Sequence, residues 1–173
     1  MESLSQSYLT PGAGAEISIQ PAPAARPDSI NERNKEVARR IWRELVNGEC
    51  LENLHELVSD DFVDHAPLPG TTNDVNGLLQ RLHVLHSAFP DFRSTIAHIV
   101  AENDKVVAFV ESSGTHRSSF AGLPPTGRHF TIQEAQVLRI KDGKMVEHWQ
   151  VADLFGMLKQ LGLVGSDFPQ GAS

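Results

Sequence analysis

The spacing of apolar residues divides the chain into a helical front half and a stranded back half. Val37, Ile41 and Leu45 recur every four residues with Ala38 and Trp42 beside them. That is one face of an amphipathic helix, and Asn47-Gly48 closes it. Leu51, Leu54, Leu57 and Val58 mark a second, short helix, and Phe62 to His65 reads as a brief extended segment stopped by Pro67 and Pro69. A third helix follows, capped by Thr72 or Asn73, with Val75, Leu78, Leu79, Leu82, His86 and Phe89 on one face and Pro90 as its end. From there the period becomes two. Arg93–Val100, Val106–Gly114, Arg128–Ile140 and Lys144–Val151 are predicted strands, with Asp104 in one turn and Asp142-Gly143 in another. The long loop Arg117–Gly127 separates the two pairs. Asp153 is the predicted N-cap of a last helix carrying Leu154, Leu158 and Leu161, and Gly162 stops it. Helices first and antiparallel strands later predict an α+β fold, with helices packed on one face of a curved sheet. The open mouth of such a sheet is a common ligand site.

Composition narrows the picture at the ends. Residues 1–28 are rich in Pro, Ala and Gly without a sustained apolar period and read as a disordered or arm-like tail. Residues 29–164 form the predicted domain and 165–173 a C-terminal tail. A domain of this size buries roughly 70% of its unfolded surface and needs no covalent staple. The single cysteine, Cys50, excludes an internal disulfide. A formal charge of −7 and a pI near 5.5 argue against a nucleic-acid or anionic-membrane surface. No apolar run reaches the ~20 residues of a membrane span. Met1–Thr10 lacks the basic and apolar regions of a signal peptide, so a cytoplasmic location is expected.

The chain has no Gly-rich phosphate loop, CxxC, HExxH or GxSxG. What remains is a set of His, acidic and amide side chains on strands and strand ends. If Lys141-Asp142-Gly143 is a three-residue loop, Glu134, Gln136 and Leu138 share a face with Val146, His148 and Gln150. Ala135, Val137, Arg139, Met145, Glu147 and Trp149 take the other. A two-residue loop instead sets Glu134 and Gln136 opposite Val151 and Trp149. A row of Glu134, Gln136, His148 and Gln150 is costly in a dry core but suits a ligand pocket; the other reading is a solvated face. His65, after Asp64, is either a pocket-mouth base or a surface histidine. His116 is either a site residue or a turn residue; His83 and His86 lie on the third helix, and His86 is read as a packed or half-exposed residue rather than a ligand. No histidine pair has metal-site spacing, so no metal is expected. Asp153 is either a helix cap alone or also a pocket carboxylate.

The order of short motifs then adds a family. Gly114-Thr115-His116, Phe120, Gly122, Pro124-Pro125-Thr126-Gly127-Arg128, Asp142-Gly143-Lys144, Glu147-His148-Trp149, Asp153 and Leu161-Gly162 stand in this sequence at the family's spacing. Phe62-Val63-Asp64-His65 and Phe89-Pro90-Asp91-Phe92-Arg93 extend the match toward the N-terminus. Over residues 31–164 the chain resembles the SnoaL-like polyketide cyclases. The resemblance implies a cone-shaped curved antiparallel sheet wrapped around N-terminal helices (the nuclear transport factor 2-like fold). It also implies a homodimer, no cofactor, and cyclisation of a hydrophobic polyketide-like molecule by acid–base chemistry. In that chemistry a carboxylate accepts a proton from carbon and polar side chains hold the enolate oxygen. The resemblance carries one departure. Cyclising members are expected to have an acid on the last strand just after the His-Trp pair and a His on the preceding strand; Gln150 and Gln136 stand there. The base is therefore expected to be Asp153, with Glu134 second and His65 as partner. Gln136, His148, Gln150, His116 and Trp149 are the expected substrate contacts. The competing functions are an epoxide hydrolase or hydroxylase partner of the same shape, and a non-catalytic binding module. An epoxide hydrolase would need an Asp–Arg–Asp set, and Arg139 is expected on the wrong face for it.

Overall fold

A computed structural model describes residues 29–164; the readings of 1–28 and 165–173 as tails lie outside the described residues. Ser29 caps the first helix, α1 (Ile30–Arg40), which runs on through a wider π-turn over Ile41–Val46, so the predicted helix is one continuous rod. A 3₁₀ turn (Leu51–Asn53) leads into α2 (Leu54–Leu57). Strand β1 (Val58–Asp64) begins at Val58, four residues before the predicted extended segment. The cap of α3 (Val75–Ala88) is neither Thr72 nor Asn73 but Asp74, whose carboxylate accepts from the Gly77 N–H at 3.0 Å while Thr72 Oγ1 donates to it at 2.6 Å.

Strands β2 (Arg93–Glu102), β3 (Lys105–Thr115), β4 (His129–Lys141) and β5 (Lys144–Ala152) are antiparallel neighbours, each close to its predicted span. The sheet order is β1-β5-β4-β3-β2. One expectation is corrected here. The sheet is not wholly antiparallel, because β1 joins the β5 edge in parallel, with Asp64 level with His148. That pairing joins strands far apart in sequence, and no local pattern announces it.

The β4–β5 hairpin also differs from either predicted register. Asp142 (φ 51°) and Gly143 (φ 77°) form a two-residue turn, the backbone that Asp-Gly supplies most readily. The pairing then slips between Ile140↔Met145 and Arg139↔Glu147, which leaves Val146 as a bulge residue. The bulge restores the side-chain parity of a three-residue loop. Glu134, Gln136, Leu138, His148 and Gln150 therefore do share the concave side of the sheet. Met145, expected outside, is 3% exposed and packs in the core, while Val146 is displaced from the inner row.

The concave face packs on α1 and α3 through Ile41, Trp42, Leu45, Leu78 and Leu82 against Val106, Ala108, Val110, Leu138 and Ile140. Trp42 Nε1 donates to Ser94 Oγ at 3.2 Å, which satisfies its one polar atom in the interior. A second cluster closes the other end, with Phe89 edge-on to Phe130 at 5.0 Å and to Phe120 at 5.1 Å. Gly114 is required there, since a Cβ would stand 2.9 Å from Phe89 Cβ. Helix α4 (Leu154–Gln160) seals this end through Met157 and Leu161, and Gln160 exchanges two 2.9 Å hydrogen bonds with the backbone of Thr131.

Candidate active site

Between α1, α3 and the concave sheet lies a cavity of about 370 Å³. Its walls are apolar over most of their extent: Trp42, Leu45, Leu82, Leu85, Phe92, Phe130 and Ile132 line it, and Ala66–Pro69, Phe120 and Leu154 stand among its lining residues. Of the polar lining side chains, β4 and β5 supply Glu134, Gln136, His148 and Gln150, α3 supplies Arg81, and β2 and β3 add the hydroxyls of Ser94 and Ser112.

Glu134, Gln136, His148, Gln150 and Arg81 join Asp64 in one hydrogen-bonded chain. Asp64 Oδ1 lies 2.9 Å from His148 Nδ1, and His148 Nε2 lies 3.2 Å from Gln136 Oε1. Gln136 Nε2 donates to Glu134 Oε2 at 3.0 Å, Gln150 Nε2 donates to the same oxygen, and Arg81 Nη2 donates to Gln150 Oε1. Arg81 Nη1 returns to Asp64 Oδ2 at 3.6 Å, closing the chain into a ring. Asp64, Glu134, Gln136 and His148 are 3–7% exposed. Burial of so many polar groups is tolerable only where they have partners: each of the four is hydrogen-bonded, while Arg81 Nη1 is buried without a hydrogen bond and has only the 3.6 Å ion pair with Asp64.

Two carboxylates and a guanidinium in a confined space set the local electrostatics. Burial tends to raise the Asp64 pKa, but the hydrogen bond from His148, the charges of His148 and Arg81 and the Ala66 N–H hold it below the ordinary carboxylate value. Burial lowers the Arg81 pKa against the pull of Asp64 and Glu134. Burial also pushes the His148 imidazole below its ordinary value, opposed by its hydrogen bond to Asp64.

The other sequence-predicted residues fall elsewhere. Asp153 is exposed, does not line the cavity, and spends Oδ1 on the Gly156 N–H at 2.8 Å as the α4 cap. His65 also lies off the lining, on the outer face, where it bonds Glu147 at 2.9 Å and stacks flat on Trp149 at 4.4 Å. The placement of Trp149 is thus a correction too, since it covers the convex side rather than touching the cavity. His116 is fully buried beside Phe89 with Nδ1 3.4 Å from Thr126 Oγ1; it anchors the Arg117–Gly127 loop and does not line the cavity. Arg139 faces outward to Glu147 as expected.

Two residues were missed, Arg81 and Asp64, and both carried a signal. Arg81 stands in the apolar stripe of α3, three after Leu78 and four before Leu85, where a charge needs a buried partner. Asp64 shares the parity of the buried Phe62 along β1, so it points inward where His65 points out. Among the described residues no group of three or more His, Cys, Asp or Glu is placed to hold a metal ion. No helix among them is long and apolar enough to cross a membrane.

Comparison with known proteins places this architecture. The family model described as SnoaL-like polyketide cyclase matches residues 36–161. The nogalonic acid methyl ester cyclase of Streptomyces nogalater is 39% identical over 113 residues, which is 64% of this chain and 84% of that protein. The aklanonic acid methyl ester cyclase DnrD of Streptomyces peucetius is 39% identical over 49 residues, 28% of this chain and 34% of that protein. The crystal structure of wild-type IdmH from Streptomyces antibioticus superposes with a TM-score of 0.66 at 35% identity, covering 75% of this chain and 98% of that one. With the family model spanning most of the chain and the fold shared with these relatives, the chain belongs to the SnoaL-like polyketide cyclase family.

Proposed function

We propose that the protein closes a ring in a polyketide-like substrate by cofactor-independent acid–base catalysis in this cavity, with Glu134 as the proton acceptor. The observation that carries the reading is that Glu134 is the one carboxylate among the cavity-lining residues described. Two amides, from Gln136 and Gln150, converge on its Oε2 and hold the carboxylate in place, leaving Oε1 without a side-chain donor from either. The positions where cyclising relatives are expected to carry a His and an acid hold these glutamines instead, and the carboxylate stands two residues earlier on β4. Glu134 would take a proton from carbon beside a carbonyl, leaving an enolate. The enolate carbon would attack a second carbonyl held nearby by the apolar walls, forming the new C–C bond, and Glu134 would return the proton to the resulting alkoxide. This reading moves the base from Asp153, whose carboxylate is engaged in the helix cap, and leaves His65 as an outer-face residue. His148, Gln136 and Gln150 keep their roles as polar pocket partners. The test is turnover of nogalonic acid methyl ester, the compound in the relative's name, by wild type and Glu134→Gln. Loss of 100- to 10,000-fold with unchanged circular dichroism supports the base. Wild-type turnover by the variant removes it, and binding without turnover by either protein favours the non-catalytic module.

One observation favours a second reading, epoxide hydrolysis. The arginine it requires is supplied by Arg81, between Asp64 and the Gln150–Glu134 pair, rather than by Arg139. Incubation of styrene oxide in ¹⁸O-water, with diol formation abolished by Arg81→Met, would support it; no diol above the buffer rate would end it.

The assembly reading is a homodimer through the convex face of the sheet. Val107, Phe109 and Val151 there are 39%, 37% and 76% exposed, beside Val137 and Trp149. Sedimentation showing a monomer at micromolar concentration would refute it.

A further inference from the structure

The donors and acceptors of the polar ring admit only certain placements of protons. A guanidinium can only donate, so Arg81 fixes Oε1 of Gln150 as acceptor and Nε2 as donor toward Glu134. If Glu134 is ionised, Gln136 must also turn its NH₂ toward Oε2, as the 3.0 Å contact has it. Its Oε1 then faces His148 Nε2 at 3.2 Å and needs an N–H there. At the other ring nitrogen, Asp64 Oδ1 already accepts from the Ala66 N–H at 2.9 Å and stands 2.9 Å from Nδ1. An ionised Asp64 needs an N–H from that side too. With both carboxylates ionised, His148 must therefore be an imidazolium, and the set of Asp64, Glu134, Arg81 and His148 is electrically neutral.

A second arrangement is equally neutral and equally satisfied. The proton leaves His148 Nε2 and resides on Glu134 Oε2. Gln136 rotates its amide by half a turn, so that Oε1 accepts from the Glu134 hydroxyl and Nε2 donates to the bare Nε2 of His148. One N–H bond is exchanged for one O–H bond, and no hydrogen bond of the chain is lost. Intermediate placements, with the proton moved but the amide not turned, set two donors or two lone pairs face to face inside a buried site.

We propose that Gln136 is a positioning residue that couples the protonation of Glu134 to that of His148, so that Glu134 is free to accept a proton only while His148 holds the charge. The function of this coupling rests on the reading of Glu134 as base; the coupling itself does not. The groups that face His148 are Asp64 from β1, Arg81 from α3, and Gln136 and Glu134 from β4, while His65, Glu147 and Arg139 lie on the opposite face of the sheet. Burial and the Arg81 charge disfavour the charged imidazole, Asp64 and Glu134 favour it, and the balance lies below the ordinary histidine value.

The experiment is an NMR titration of the full chain from acid to alkaline pH. It follows ¹⁵Nε2 of His148, ¹³Cδ of Glu134 and the side-chain ¹⁵N of Gln136. In wild type the three signals should trace the same macroscopic steps, as groups coupled by more than about one unit do. Three independent midpoints, or a Gln136 amide that ignores pH, would overturn the proposal without any variant having to fold. The second arm is a cycle. Glu134→Gln should lower the His148 midpoint, and in the Gln136→Met background that shift should shrink to less than half. Equal shifts in both backgrounds would mean simple charge–charge interaction and would also overturn it. Turnover separates the two claims: an active Glu134→Gln ends the base assignment whatever the titration shows, and an inactive one with uncoupled titrations keeps the base and ends the coupling.

Discussion

The two faces of the β4–β5 hairpin carry nearly the same chemistry in opposite surroundings. On the convex side, His65, Glu147 and Arg139 form a chain, with the Arg139 Nε donating to Glu147 at 2.6 Å and His65 Nε2 2.9 Å from the same carboxylate. On the concave side, His148, Asp64, Glu134 and Arg81 form another, linked by two glutamine amides. The side chains of the convex set are 23–38% exposed, and those of the Asp64–His148 pair 2–5%. Water screens the first set and competes for its hydrogen bonds, so it contributes little to stability. The second is largely withdrawn from bulk solvent, and removing one member strands the others. A His–carboxylate–Arg constellation is therefore a surface adornment or a working site according to which way an alternating strand turns it.

The contrast gives ordered expectations. The largest is the turnover loss in Glu134→Gln, two to four decades, against less than twofold in Glu147→Gln; equal losses in the two would erase the distinction between the faces. Next is stability. Arg81→Met leaves Asp64 and Glu134 without their buried cation and should cost about 3–5 kcal/mol in urea unfolding, whereas Arg139→Met on the wet side should cost about 0–1 kcal/mol. Smaller still is a pH effect. Because the folded-state pKa of Asp64 is depressed, its contribution is fully present above its unfolded value and is lost as pH falls through the folded one. Wild type should therefore lose more stability than Asp64→Asn as pH drops below about 4. A parallel case lies outside the cavity. Glu44, held near a pKa of about 2 first by the Arg40 hydrogen bond and then by Asn53, should give a similar decline between about pH 4.5 and 2 that Glu44→Gln abolishes. Melting temperatures that fall in parallel for wild type and variants would contradict both.

Much of this was legible before any coordinates. The switch of apolar period from helical to alternating near Pro90 marks the α+β order, and Asp142-Gly143 marks the hairpin, because each is a local consequence of backbone geometry. That Glu134 shares a face with Gln136, and His148 with Gln150, follows from alternation as well, and so does the cap at Asp153, whose carboxylate needs only the N–H three residues on. Long-range matters were not legible. The bulge at Val146, which brings Met145 into the core, depends on how β5 sits between β4 and β1. The parallel docking of β1 sets Asp64 beside His148, 84 residues away. The packing of α3 delivers Arg81 to Gln150, 69 residues away. Sequence by itself determined which residues alternate and which helices form, since these rest on neighbours a few residues apart. Only the tertiary structure decided which of them meet, because the ring of charge that makes Glu134 a candidate base closes through elements whose contact no local pattern encodes.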